Sequence, residues 1–195
     1  MKKIEIKEFG GPEVLEIKNV DIGKPGQNEV LVKNLSIGIN YIDTYHRSGL
    51  YPIPLPSGIG LEACSIIEEV GPEVKLFKVG DRVTRASMPI GTYSEKQIIP
   101  EDKLVKVPDN ISDEVASCIT LKGITAEYLL HRTYQVKKGD KILYHAAAGA
   151  LGQIFCPWAN ALGAEIIGTV GSDEKIEIAK KNGCHHVINY NEKNF

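Results

Sequence analysis

Residues 141–172 read KILYHAAAGALGQIFCPWANALGAEIIGTVGS. A short apolar run, Ile142–Leu143–Tyr144, opens the stretch, and a turn of small residues from Ala146 to Gly152 follows. A helix-length segment, Gln153 to Leu162, leads to a second apolar run, Glu165 to Val170. The order is strand, tight turn, helix, strand. Within the turn, Ala147-x-Gly149-x-x-Gly152 has the spacing of the glycine fingerprint that opens a dinucleotide-binding fold. The first position needs a small residue in a tight turn, the second lets the backbone approach a pyrophosphate, and the third lets the helix pack closely on the strand. The free N–H groups and dipole of the helix N-terminus favour an anion there. The competing reading is a small-residue turn before any packed helix. Strands on both sides at the right distances argue against it.

Downstream, Asp173–Lys181 (DEKIEIAKK) reads as an amphipathic helix with Ile176, Ile178 and Ala179 inward, ended by Gly183. Val187–Ile188 mark a third short strand. The β units at 141–145, 165–170 and 186–189 make half of a doubly wound sheet. A complete one wants about three more strands, so the sequence is expected to be a truncated form, a fragment or an unusual short form. Upstream, Thr120–Tyr134 is a helix candidate with Leu129 and Leu130 on its buried side. Ser112, followed by Asp113 and Glu114, can cap a helix start. Residues 1–108 read as short strands and turns. Asn40 to Tyr51 breaks that pattern, with Asn, Asp, Thr, three tyrosines, His46 and Arg47 before the prolines 52, 54 and 56, and reads as a short helix and loop lining a surface or cleft.

The second strand of the dinucleotide unit ends at Gly171–Ser172. A site for NAD places Asp or Glu there to hold the ribose 2′-OH. Here Ser172 can bond to a phosphate and Lys175 can balance its charge, so the expected cofactor is NADPH. Asp173 is the awkward neighbour: it could repel a 2′-phosphate or could cap the following helix.

Of 195 residues, 43% are hydrophobic and 25% charged, an ordinary globular composition. The formal net charge is -2 with scattered Lys and Arg, which gives no nucleic-acid footprint. No apolar run reaches the length of a membrane span, and charges interrupt any N-terminal signal-like stretch, so the cytoplasm is the expected compartment. Cys64, Cys118, Cys156 and Cys184 have neither zinc-knuckle nor CxxC spacing and are expected to be buried free thiols.

Eight stretches together resemble the zinc-independent quinone oxidoreductases of the medium-chain dehydrogenase/reductase superfamily. They are GGPEVLE (10–16), IGINYIDTYHRSGLYP (37–52), LPSGIGLEACSIIEEVG (55–71), VGDRV (79–83), TLKGITAEYLL (120–130), HAAAGALGQ (145–153), GTVGSDEK (168–175) and VINY (187–190). The resemblance implies a β-rich, GroES-like catalytic domain over residues 1–120 and the N-terminal half of a Rossmann domain over 121–195. It implies an active cleft between the two and hydride transfer from NADPH to a quinone. Asn40, Tyr45 and Tyr51 resemble cleft residues near nicotinamide and quinone. Tyr offers a flat apolar face and an O–H donor suited to a planar quinone. By family position Asn40, Thr125, Ala147, Gly149, Ala150, Leu151, Gly152, Gly171, Ser172, Lys175 and Tyr190 contact the cofactor. The family forms homodimers, and the segment that would complete the sheet and supply much of that contact has no counterpart in this sequence.

Related alcohol dehydrogenases hold a catalytic zinc through Cys, His and a second Cys or Asp. In this sequence Asn40 takes the place of the first cysteine (GINYID) and Leu61 that of the histidine before Glu62 (GLEA), and the four-cysteine lobe is missing. No metal is expected, and His46 is read as a hydrogen-bonding or solvated side chain. Carbonyl polarisation then falls to hydrogen-bond donors. Two other readings stay open: an NADPH-dependent enone or 2-alkenal reductase, and an inactive fragment or binding protein that keeps part of a nucleotide site.

Overall fold

A computed structural model describes residues 1–192. The chain divides into two compact units, Met1–Leu121 and Lys122–Phe195.

The strands of the first unit are β1 (Lys2–Ile6), β2 (Glu16–Asn19), β3 (Glu29–Gly38), β4 (Ser57–Gly58), β5 (Glu62–Val70), β6 (Arg82–Ala86), β7 (Lys96–Pro100) and β8 (Val105–Lys106). They form a three-stranded sheet, β2-β1-β4, and a five-stranded sheet, β7-β3-β5-β6-β8, in which every pairing is antiparallel. Val30 and Val32 on β3, Ile67 on β5, Val83 on β6 and Ile99 on β7 are fully or almost fully buried in one cluster with Leu104. Each such side chain contributes about 1.5–3 kcal/mol of burial free energy. Helix α1 (Tyr41–Ser48) follows β3 directly. The pairing of Gly38 with Glu62 therefore sets the start of α1 beside the start of β5.

Helix α2 (Asp113–Tyr128) starts as expected: Ser112 Oγ accepts from the Val115 N–H at 3.3 Å. It also corrects the expectation of a separate helix beginning near Thr120. One helix runs on through Gly123 to Tyr128 and continues as a π-helical turn, Leu129–Thr133. Buried Ala116, Ala126 and Leu130 hold it against its neighbours and outweigh the cost of an interior glycine, about 1 kcal/mol.

The second unit adds β9 (Lys141–Tyr144), α3 (Gly152–Ala161), β10 (Glu165–Val170), α4 (Glu174–Lys181) and β11 (His186–Asn189). The three strands are parallel in the order β11-β10-β9. Central β10 is buried at Ile166, Gly168, Thr169 and Val170, as a parallel strand covered on both faces must be. Phe155, Cys156 and Ala159 of α3 and Ala179 of α4 belong to the same core, and Tyr144 stacks on Phe155 with ring centroids 4.4 Å apart.

Two expectations fail locally. Ile178 is exposed, because Ile176 and Ala179, three residues apart, define the inward face of α4 and Ile178 points away from it. Cys118 is exposed on α2, whereas Cys64, Cys156 and Cys184 are buried; all four are free. Burial pushes the Cys64 thiol up to about 11, and the Cys156 and Cys184 thiols are raised by the same cause. Among the described residues no helix is long and apolar enough to cross a membrane.

Candidate active and cofactor site

In the first unit the chain passes from β3 through Asn40, the N-cap of α1 with extended backbone. Asn40 is 7% exposed, and its Nδ2 donates to Glu62 Oε2 at 2.9 Å. Glu62 is wholly buried at the start of β5, and its Oε1 accepts from the Leu121 N–H at 2.8 Å. The helix start is closed from the other side by Asp43. Its Oδ2 accepts from the Asn40 N–H at 2.9 Å and from the Tyr93 O–H at 2.9 Å. Asp43 is 3% exposed, and its Oδ1 has no partner among the described residues. Burial raises its carboxyl above the usual range, against the opposing pull of those two donors. Tyr93 is raised as well, by burial and then by the Asp43 charge.

His46, one turn along α1, is buried with Nδ1 unpartnered among the described residues, so of the two roles expected of it, hydrogen-bonding or solvated, burial disfavours the solvated one. Tyr45 and Tyr51 meet edge to face with centroids 5.2 Å apart, and the Tyr51 N–H donates to the Tyr45 carbonyl at 3.2 Å. Tyr51 is 51% exposed. The structure thus brings Asn40, Tyr45 and Tyr51 onto one helix and its exit. Glu62, Asp43 and Tyr93, which support that helix, escape sequence reading. The available signal is an acidic residue inside the apolar run LEACSII, which must be partnered once buried.

In the second unit the fingerprint turn runs from β9 into α3. Ala147 is fully buried, and its N–H donates to the Thr169 carbonyl of β10 at 3.0 Å. Gly152 abuts it: a Cβ on Gly152 would fall on the Ala147 carbonyl, with the Ala147 carbon at 2.7 Å. Only glycine allows that approach. Gly149 and Ala150 lie exposed and Leu151 half-buried, so nothing larger than a methyl projects from the tip of the turn. The Ala150 and Leu151 N–H groups donate to no acceptor among the described residues. A bare backbone with free amides at a helix N-terminus fits a pyrophosphate.

The turn after β10 holds Gly171, Ser172 and, one residue into α4, exposed Lys175. Tyr190 closes on Gly171; a Cβ there would strike the Tyr190 hydroxyl, with the ring Cζ at 2.9 Å. Asp173 makes no capping bond to α4 and instead accepts from Asn189 Nδ2 at 2.9 Å. Gly171, Ser172, Lys175 and Tyr190 therefore share one corner of the unit. Thr125 lies half-buried on α2. Among the described residues no group of three or more His, Cys, Asp or Glu is arranged to hold a metal ion.

An antiparallel β unit followed by a parallel βαβαβ unit with this turn defines the class of the medium-chain dehydrogenases. Residues 26–109 match the family model described as the alcohol dehydrogenase GroES-like domain, and residues 150–195 match that described as zinc-binding dehydrogenase. The first unit is thus a GroES-like β-rich domain, and the second is a partial Rossmann-type region.

The quinone oxidoreductase of Pseudomonas aeruginosa is 50% identical over 194 residues, 99% of this chain and 60% of that protein. A 2-haloacrylate reductase from Burkholderia is 48% identical over 97% of this chain and 59% of its own length. The crystal structure of Escherichia coli quinone oxidoreductase complexed with NADPH superposes with a TM-score of 0.96 at 49% identity, over 100% of this chain and 60% of that one. The chain belongs to the quinone-oxidoreductase-like proteins of the medium-chain dehydrogenase/reductase superfamily. It spans about 60% of the length of the curated relatives it matches.

Proposed function

We propose that this chain carries the NADPH-binding and quinone-facing residues of a metal-independent quinone reductase. The observation that carries the reading is the fingerprint turn, in which Gly152 packs on the Ala147 carbonyl and the Ala150 and Leu151 amides have no acceptor among the described residues. The presence of NADPH in the similar Escherichia coli structure supports the same cofactor here. The turn at Ala147–Gly152 would hold the pyrophosphate, and Ser172, Lys175 and Tyr190 the 2′-phosphate, with Thr125 and Asn40 as further cofactor contacts. NADPH supplies the hydride when bound.

The chain's own residues then bind and orient the acceptor. Tyr45 and Tyr51 offer the flat apolar faces that a quinone stacks on. The Tyr51 hydroxyl and the Asn40 amide are the donors that face an oxygen gaining negative charge. A delocalised hydroquinone anion needs no strong general acid, so a proton from Tyr51 or water completes the reduction. In this reading residues 1–120 act as the catalytic domain, residues 121–195 as the nucleotide-binding part, and the active form is a homodimer.

The relative named for 2-haloacrylate reduction favours a second reading, hydride addition to an electron-poor carbon–carbon double bond. Following NADPH absorbance with 1,4-benzoquinone and with a 2-alkenal separates the two. Faster turnover of the quinone supports the first reading, and faster turnover of the alkenal replaces it. Sedimentation of the same sample tests the dimer.

A further inference from the structure

Two contacts tie the end of β11 and the residues after it to the turn after β10, and a third braces that end internally. Asn189 Nδ2 donates to Asp173 Oδ1 at 2.9 Å, the Asn191 N–H donates to Asn189 Oδ1 at 3.1 Å, and Asn191 Nδ2 donates to the Gly171 carbonyl at 2.7 Å. Asn189 is 7% exposed at the end of its strand, and both ends of its amide are engaged. The backbone donor at Oδ1 fixes the orientation of the amide and so leaves Nδ2 as the end that meets Asp173. Asp173 stands at the N-cap position of α4 yet makes no capping bond. Its carboxylate is drawn toward the buried end of β11 instead.

A carboxylate at this turn suits a ribose diol and repels a phosphate. Asp173 is also adjacent to Ser172, which the NADPH reading assigns to the 2′-phosphate. We infer that Asn189 is a specificity-determining positioning residue. By holding Asp173 Oδ1 it turns that carboxylate from the anion subsite of Ser172 and Lys175, and lets a chain with an acidic residue at this turn prefer the phosphorylated cofactor. The inference rests on the proposed NADPH reading. It asks no direct contact between Asn189 and the cofactor.

The test is the ratio of NADPH to NADH affinity, read by fluorescence titration on four proteins: the unaltered chain, Asn189→Ala, Asp173→Ser and the double variant. The unaltered chain prefers NADPH. Asn189→Ala lowers that preference roughly three- to tenfold, the scale of one exposed charge acting on a phosphate a few ångströms away. Asp173→Ser alone changes it less than about twofold, since the carboxylate is already restrained. In the Asp173→Ser background the Asn189 substitution has no effect on the ratio. An equal fall in both backgrounds overturns the inference, because Asn189 then acts without Asp173. So does a large gain from Asp173→Ser alone, a measurement that stands even if Asn189→Ala fails to fold. Preference for NADH in the unaltered chain overturns the cofactor reading itself, which distinguishes the two failures.

Discussion

Asn40 Nδ2 and Glu62 Oε2 lie 2.9 Å apart, joining the N-cap of α1 to the first residue of β5 inside the protein. Glu62 has no exposed surface, so the bond is made where an unpartnered group is costly. The amide proposed to face substrate is thereby fixed by a carboxylate that does not itself need to touch it.

A double-mutant cycle measures this pair. Asn40→Ala and Glu62→Gln each destabilise by about 1–3 kcal/mol, and the pair couples by about 1 kcal/mol or more. Urea unfolding of the four proteins gives the coupling. Simple additivity contradicts the arrangement.

Asp43 makes stability depend on pH in mild acid. Burial raises its native pKa above the unfolded value. Its contribution is therefore fully present below the unfolded pKa, near 4, and declines as pH rises through the raised native value. Tyr93, His46 and Glu62 are the other titratable groups acting on it. Asp43→Asn keeps an acceptor for the Asn40 and Tyr93 donors and abolishes the titration. Across this window the stability of the variant relative to the unaltered chain improves as pH rises, measured by urea unfolding at each pH. A constant difference contradicts the account.

Two glycine substitutions respond with opposite sign. Gly152→Ala forces a methyl onto the Ala147 carbonyl and costs about 1–3 kcal/mol. Gly123→Ala, on α2 with open space around its Cβ, stabilises by roughly 0.5–1 kcal/mol. Thermal unfolding of both variants settles the comparison.

Thiol chemistry reports the burial pattern. Cys118 is exposed, and the other three cysteines are buried with raised pKa values. One thiol per folded chain reacts rapidly with a disulfide reagent, and Cys118→Ser removes that phase. Rapid reaction of two or more thiols contradicts the core packing.

The βαβαβ unit is legible in the sequence because its signals are local. Apolar runs, a small-residue turn at fixed spacing and an amphipathic helix each fall within about ten residues. Pro157 argues locally against α3, yet Phe155, Cys156 and Ala159 bury enough apolar surface to carry the helix through it. The supports of the first-unit site are illegible for the opposite reason. Glu62 reaches Asn40 across 22 positions of sequence and Leu121 across 59, and Tyr93 reaches Asp43 across 50. Pairings of that range have no periodicity to read. Asp173 is the intermediate case: its ambiguity was visible in the chain, and only the fold brings Asn189 to it.

The most direct test of the cofactor assignment is titration of the purified chain with NADPH and with NADH, followed by nicotinamide fluorescence. The account predicts saturable binding of both with the tighter Kd for NADPH. Tighter binding of NADH, or no saturable binding of either, contradicts it.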